Sequence, residues 1–133
     1  MDASAIVNVA VQSGEEAVNL VKGHATLDLM FYECGNAVWK LCLLKKKIAL
    51  EEARSLIEII SRLIAKMRTL PFEELKPAEV MKLALDERLS YYDAAYIYAA
   101  KSRSLILVTD DTQLAKAASK YVKTKNSREL QRS

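Results

Sequence analysis

Four positions in this chain combine a carboxylate with the predicted start of a helix. Asp2 precedes a helix near Ala5, Glu33 opens the next helical pattern, Asp93 lies in the first turn of "SYYDAAYIYAAK", and Asp110 or Asp111 precedes "TQLAKAA". In a parallel α/β sheet every strand-to-helix junction lies at the same edge, so these acids would converge. Neighbouring carboxylates repel and raise each other's pKa unless a cation compensates them. The pattern favours Mg²⁺ or Mn²⁺, which activates water and stabilises charge on a phosphodiester.

Each acid taken alone also fits a purely structural role. Carboxylates at helix starts accept hydrogen bonds from free backbone N–H groups and commonly stabilise a helix by ~0.5–2 kcal/mol. The segments Ser90-x-x-Asp93 and Asp110-x-x-Gln113 both have the spacing of a capping box. Spacing alone therefore leaves a cation site and a set of helix caps both open.

Glu33, Asn36 and Lys40 share one face of a predicted helix because they stand at i, i+3 and i+7. Beside an acidic pocket, this stripe could supply a metal ligand, a side chain that orients it, and a contact to an RNA phosphate through Lys40. The alternative is an ordinary solvated helix face.

The elements that must position these residues alternate between short apolar strands and longer amphipathic helices, which predicts a helix-rich α/β layer fold. The clearest helix covers residues 50–68, where apolar side chains recur every three to four positions. Further helices are predicted over residues 5–22 (one or two), 33–46, 77–88, 90–103 and 112–120, and strands over 70–75, 105–108 and 121–124. Residues 26–30 are either a short strand or the segment that leads into the next helix.

Composition is that of an ordinary globular domain. The 133 residues are 51% hydrophobic and 28% charged, which predicts one domain over residues 1–133. Cys34 and Cys42 show no metal-binding spacing and are interpreted as core thiols of a reducing compartment. The apolar runs are too short to span a membrane and the first residues do not have the pattern of a secretory leader, so a cytoplasmic protein is expected. Residues 125–133 form a basic tail for which disorder is one alternative. Basic residues outnumber acidic ones over residues 112–133, which suits a polyanionic partner or simply a solvated surface.

Three segments of the sequence resemble motifs of a known family. "LSYYDAAYIYAAKSRSLILVTDDTQLAKAA" resembles the C-terminal half of PIN-domain proteins, particularly the VapC-like toxin ribonucleases. "DAS" near the start resembles the family's D-x-S/T opening, and "YECGNAVWK" resembles its E-x-x-N-A/L helix start. The motifs follow one another in the family's order over nearly the whole chain.

The resemblance implies a small α/β/α sandwich with a mainly parallel sheet and Mg²⁺- or Mn²⁺-dependent endoribonuclease activity. It also implies a homodimer and a small antitoxin protein as partner. Its T-x-D spacing selects Asp111 as a metal ligand and leaves Asp110 as the cap paired with Gln113. The implied metal and catalytic ligands are Asp2, Glu33, Asp93 and Asp111, and the implied supporting residues are Ser4, Asn36 and Thr109.

One departure from the family concerns the first strand. Family members have a central apolar strand before the first aspartate, whereas here only Met1 precedes Asp2. The strand is therefore expected to be missing or truncated. Two other functions stay open on this evidence: a catalytically inactive binding module of the same fold, and an RNA-processing nuclease without an antitoxin.

Overall fold

The computed structural model describes residues 1–132 and shows a helix-rich α/β architecture. Ser133, the last residue of the predicted tail, lies outside the described residues. A 3₁₀ turn links the first two helices, and the third helix continues into a π-helix, Lys40–Leu44. The helices are α1 (Ala3–Ser13), α2 (Val18–Val21), α3 (Met30–Trp39), α4 (Leu50–Ala65), α5 (Pro77–Glu87), α6 (Tyr91–Ser102), α7 (Thr112–Ala118) and α8 (Ser127–Arg132). The strands are β1 (Ala25–Leu27), β2 (Arg68–Leu70), β3 (Leu107–Val108) and β4 (Thr124–Lys125).

The strands form two parallel pairs. β1 pairs with β2, with Thr26 opposite Thr69, and β3 pairs with β4, with Leu107 opposite Thr124. These parallel pairs, enclosed by helices, confirm the predicted fold class.

The first two residues of the chain join the two pairs. The Met1 ammonium donates to the carbonyl oxygen of Ala25 at 2.9 Å, and the Asp2 N–H donates to the carbonyl oxygen of Val108 at 3.0 Å. The Thr26 hydroxyl also donates to the Met1 carbonyl oxygen at 2.9 Å. Met1 and Asp2 thus occupy the position between β1 and β3 where the truncated strand was expected.

A groove of about 520 Å³ extends from Met1 between the two strand pairs. Its walls are residues 22–27 on one side and residues 104–108 on the other, and Tyr96, Ala99 and Ala100 of α6 contribute to its lining. Burial lowers the pKa of the Met1 ammonium to about 6, with the Asp2 charge opposing the shift.

Apolar side chains form two clusters, one on each side of the strands. The first joins α1, α3 and α4 through residues such as Ile6, Met30 and Ile60. The second joins β1, β2, β3 and the helices α5, α6 and α7 through residues such as Val80 and Ile97. Each such side chain contributes roughly 1.5–3 kcal/mol when buried. The two clusters therefore hold the strand-to-helix junctions in place.

The predicted helices are present, with ends shifted by a few residues, whereas the predicted strands are shorter or displaced. The strand predicted over residues 70–75 is instead Arg68–Leu70, because Pro71 cannot donate to a strand ladder. Cys34 is buried as predicted, but Cys42 is only partly buried, and both are free thiols.

The predicted tail needs a correction. Within residues 125–133, Lys125 belongs to β4 and Ser127–Arg132 forms helix α8, so the disordered alternative is wrong for this part. The reason is a hydrogen-bonded contact to Asp110, described below. No helix within residues 1–132 has the length and apolar character needed to cross a membrane.

Candidate active site

Asp2 is a buried carboxylate at the start of α1. Its Oδ1 accepts hydrogen bonds from the Ser4 hydroxyl at 2.7 Å and the Ala5 N–H at 3.1 Å. Its Oδ2 accepts one from the Thr109 hydroxyl at 2.5 Å. Burial raises the pKa of Asp2, and the hydrogen bonds from Thr109, Ser4 and Ala5 oppose that shift. Asp2 is therefore firmly oriented although it is the second residue of the chain.

The hydroxyls of Ser4 and Thr109 connect Asp2 to the loop between β3 and α7. The Ser4 Oγ accepts the Asp110 N–H at 2.9 Å, and the Thr109 Oγ1 accepts the Asp111 N–H at 3.1 Å. Each hydroxyl donates to Asp2 and accepts from the loop, so both of its hydrogen-bonding functions are used. The structure thus brings together the two ends of the chain through residues predicted as supporting.

Asp111 is the N-cap of α7. Its Oδ1 accepts the N–H groups of Gln113 at 2.9 Å and Leu114 at 3.1 Å. These bonds satisfy two of the free donors at the helix start and leave Oδ2 available for a ligand. A single aspartate can therefore serve as cap and as metal ligand.

Asp110 does not cap α7, so the prediction that it pairs with Gln113 is wrong. The helix begins one residue later than that pairing requires, at Thr112. The Asp110 carboxylate instead accepts hydrogen bonds from the Ser127 N–H at 2.7 Å, the Ser127 hydroxyl at 2.6 Å and the Asn8 side-chain amide at 2.6 Å. Asp110 fastens α8 to the loop and to α1.

Asp93 lies in the first turn of α6, where the Ser90 hydroxyl caps the helix by accepting the Asp93 N–H at 3.1 Å. Burial raises the pKa of the half-buried Asp93 carboxyl, and the charges of Asp111 and Asp2 raise it further. Asp2 and Asp111 belong to other junctions, so the three predicted acids interact electrostatically across the site.

Glu33 projects from the first turn of α3 toward α6. Its Oε1 accepts a hydrogen bond from the Tyr96 hydroxyl at 2.7 Å. Burial raises the pKa of the Glu33 carboxyl; the Tyr96 hydrogen bond opposes this shift, and the charges of Asp93 and Asp2 add to it. All four predicted acids therefore belong to one electrostatically linked group.

The donor set suits a hard divalent cation, because carboxylates that raise each other's pKa are relieved by positive charge. Within residues 1–132, no three His, Cys, Asp or Glu side chains are gathered tightly enough to enclose a metal ion by themselves. Mg²⁺ usually retains several waters and binds through one or two carboxylates. The residues present therefore fit such an ion with water in its remaining positions.

The other two predicted residues stand apart from this group. Asn36 and Lys40 are exposed on α3 and its π-helical continuation, and within the described chain neither forms a hydrogen bond to the four acids. Tyr96 contacts Glu33 in the site but was not among the residues predicted from the sequence. Its position three residues after Asp93, on the same helix face, was the available signal.

Comparisons with known proteins identify relatives in Pyrobaculum aerophilum. No family model matches the chain. The chain is 36% identical over 90 residues to "Exonuclease VapC9", covering 68% of this chain and 63% of that protein. It is 32% identical over 123 residues to "Ribonuclease VapC3", covering 86% of this chain and 90% of that protein. The crystal structure of PAE2754 from the same organism superposes with a TM-score of 0.77 at 29% identity, covering 98% of this chain and 90% of that one.

Proposed function

The chain belongs to the VapC-like PIN-domain toxin family, and we propose that it is a divalent-metal-dependent endoribonuclease that hydrolyses phosphodiester bonds within RNA. The observation that carries the proposal is the hydrogen bonding that joins two acids far apart in the chain: the Thr109 hydroxyl donates to Asp2 Oδ2 at 2.5 Å and accepts the Asp111 N–H at 3.1 Å. The charges of Asp111 and Asp2 also add to the burial that raises the pKa of Asp93. Asp2 and Asp111 cap their own helices, but the N-cap of α6 is Ser90, so capping does not account for Asp93. A bound cation would offset the repulsion between these carboxylates.

In the proposed mechanism, Asp2, Glu33, Asp93 and Asp111 would hold Mg²⁺ or Mn²⁺, one or two of them directly and the others through water that the ion retains. The bound cation would activate water for attack on the phosphorus and stabilise the charge that develops on the phosphodiester. Ser4 and Thr109 keep the Asp2 carboxylate in place, through hydrogen bonds of 2.7 and 2.5 Å.

The remaining supporting residues act on the substrate side of α3. Asn36 lies one helical turn beyond Glu33 and would orient neighbouring groups when RNA is bound. Lys40 lies about one turn further on and would contact an RNA phosphate. Both side chains are exposed and therefore accessible to a substrate.

Family membership also supports proposals about partners and location. We propose that the enzyme is a homodimer and the toxin of a toxin–antitoxin pair, silenced by a small antitoxin protein. Its two free cysteines support a reducing compartment such as the cytoplasm. Without an antitoxin, the same site would serve an RNA-processing nuclease, and a site unable to bind metal would indicate a binding module.

The mode of attack has a second candidate, because one relative is named as an exonuclease. A circular single-stranded RNA separates the two modes, since only an endonuclease cuts a molecule without ends. We expect Mn²⁺-stimulated cleavage of the circular RNA, abolished by excess chelator. Cleavage restricted to linear RNA would favour the exonuclease, and no cleavage together with no Mn²⁺ binding at millimolar metal would favour the binding module.

Asp93→Asn tests the proposed site directly. The variant should lose Mn²⁺-stimulated cleavage and keep or increase its melting temperature, because it removes a carboxylate whose charge is disfavoured by burial and by its neighbours. Asp86→Asn is a suitable control, since Asp86 forms an exposed ion pair with Lys82 on α5. Full cleavage by Asp93→Asn would refute the proposed mechanism.

A further inference from the structure

Tyr96 contributes a buried hydroxyl that reaches the candidate active site. The side chain is 3% exposed and lies in the apolar cluster that contains Ala95, Ile97 and Ala99. A tyrosine hydroxyl in such surroundings requires a hydrogen-bond partner. That partner is Glu33 Oε1, at 2.7 Å.

The contact joins two elements of the site. Glu33 is carried by α3, whereas Tyr96 is carried by α6, which also bears Asp93 one turn earlier. The helix that supplies one candidate ligand therefore orients another across the site. A phenylalanine could fill the same apolar space but could not hold the carboxylate.

The hydrogen bond makes the two oxygens of Glu33 unequal. Oε1 is engaged by a donor whose ring is fixed by the surrounding core, while no hydrogen bond to Oε2 is found among the described residues. Bonds to a charged acceptor are strong and directional, so the carboxylate is held in one orientation. Oε2 is then the oxygen free to bind a cation.

We propose that Tyr96 is a positioning residue that holds Glu33 through Oε1 and thereby reserves Oε2 for the divalent cation. This inference rests on the proposed function, because it assigns a role within the same site. Residues that orient metal-binding side chains typically change metal affinity by about 10–100-fold when they are replaced.

The test is Mn²⁺ binding to the full chain, measured by calorimetry without RNA. Tyr96→Phe should bind Mn²⁺ about 10–100-fold more weakly than the wild type. Tyr98→Phe is the matched control, because Tyr98 lies on the same helix and its hydroxyl bonds to none of the four acids in the described chain. This control should bind Mn²⁺ like the wild type.

A second variant separates positioning from a general effect on the fold. In a Glu33→Gln background, Tyr96→Phe should cause little further loss of Mn²⁺ affinity, because the carboxylate that it orients is already gone. An equal loss in both backgrounds would overturn the proposal, since Tyr96 would then act independently of Glu33.

The outcomes also distinguish this inference from the proposed function. Wild-type affinity in Tyr96→Phe, with Mn²⁺-dependent cleavage intact, would overturn the role of Tyr96 and leave the nuclease standing. A wild-type chain that binds no Mn²⁺ at millimolar metal would overturn both. Weaker binding in Tyr96→Phe alone, at a melting temperature close to that of Tyr98→Phe, is the result that supports positioning.

Discussion

Replacing Asp110 with alanine tests the assignment of the two adjacent aspartates to different tasks. The Asp110 carboxylate accepts the N–H and the hydroxyl of Ser127, at 2.7 and 2.6 Å, and the side-chain amide of Asn8 at 2.6 Å. Ser127 is 2% exposed and begins α8. The substitution would therefore leave two buried donors at the helix start without their acceptor.

The size of the effect follows from these contacts. A hydrogen bond to a charged group contributes about 1.5–3 kcal/mol, and the bond from the exposed Asn8 side chain contributes little. The two bonds from Ser127, taken at the lower end, amount to about 3 kcal/mol. For a chain of this length, that loss lowers the melting temperature by roughly 10 °C. If α8 detaches, the loss of stability cannot exceed the free energy that its packing contributes, and α8 is only one short helix.

Two measurements check this prediction. Thermal unfolding gives the overall loss, and amide hydrogen exchange shows whether α8 is released locally. Asp86→Ala is the control, because its ion pair with Lys82 is exposed and screened by solvent, so that its loss should change the melting temperature little. If Asp110→Ala melted no lower than Asp86→Ala and exchange in α8 were unchanged, the proposed fastening of α8 by Asp110 would be refuted.

Two further predictions concern the acids. Asp111→Ser retains an N-cap and should melt near the wild type, whereas Asp111→Ala should lose about 1 kcal/mol; both should lose Mn²⁺-stimulated cleavage, and activity in the serine variant would show that the carboxylate is dispensable. Because burial raises the pKa of Asp2, Glu33 and Asp93, protons should compete with Mn²⁺ at pH values above the ordinary carboxyl range near 4. Calorimetry that shows constant Mn²⁺ affinity from pH 7 to pH 4 would contradict this competition. Without metal, the free energy of unfolding should fall as pH rises through the same window, since the folded state disfavours the charged forms.

The helices could be predicted because their signals are local. The apolar stripe of residues 50–68 corresponds closely to α4, Leu50–Ala65, and Pro77 marks the first residue of α5 as expected. The strands were harder to predict, because their length depends on partners distant in sequence. Leu105 and Ile106 were assigned to a strand, yet they line the groove and only Leu107 and Val108 pair with β4.

The site shows the same division between local and distant information. Asp93 and Asp111 could be located at helix starts because capping is local. Which aspartate caps α7 could not be predicted, since a shift of one residue in the helix start reverses the answer. The bond from Ser127 to Asp110 had no local signal, because the partners are 17 residues apart and meet only through packing. Tyr96 was missed because a buried tyrosine looks like ordinary core in a sequence.

The placement of the Met1 nitrogen has a practical consequence for recombinant protein. The nitrogen donates to the Ala25 carbonyl oxygen between β1 and β3, and the groove continues from it. Any tag, label or acyl group attached there must enter a space bounded by two strand pairs. Val108, whose carbonyl oxygen accepts the Asp2 N–H, lines this space. A group joined to this nitrogen is thus one residue away from Asp2, and differences in melting or metal binding that depend on such a group would originate in the groove.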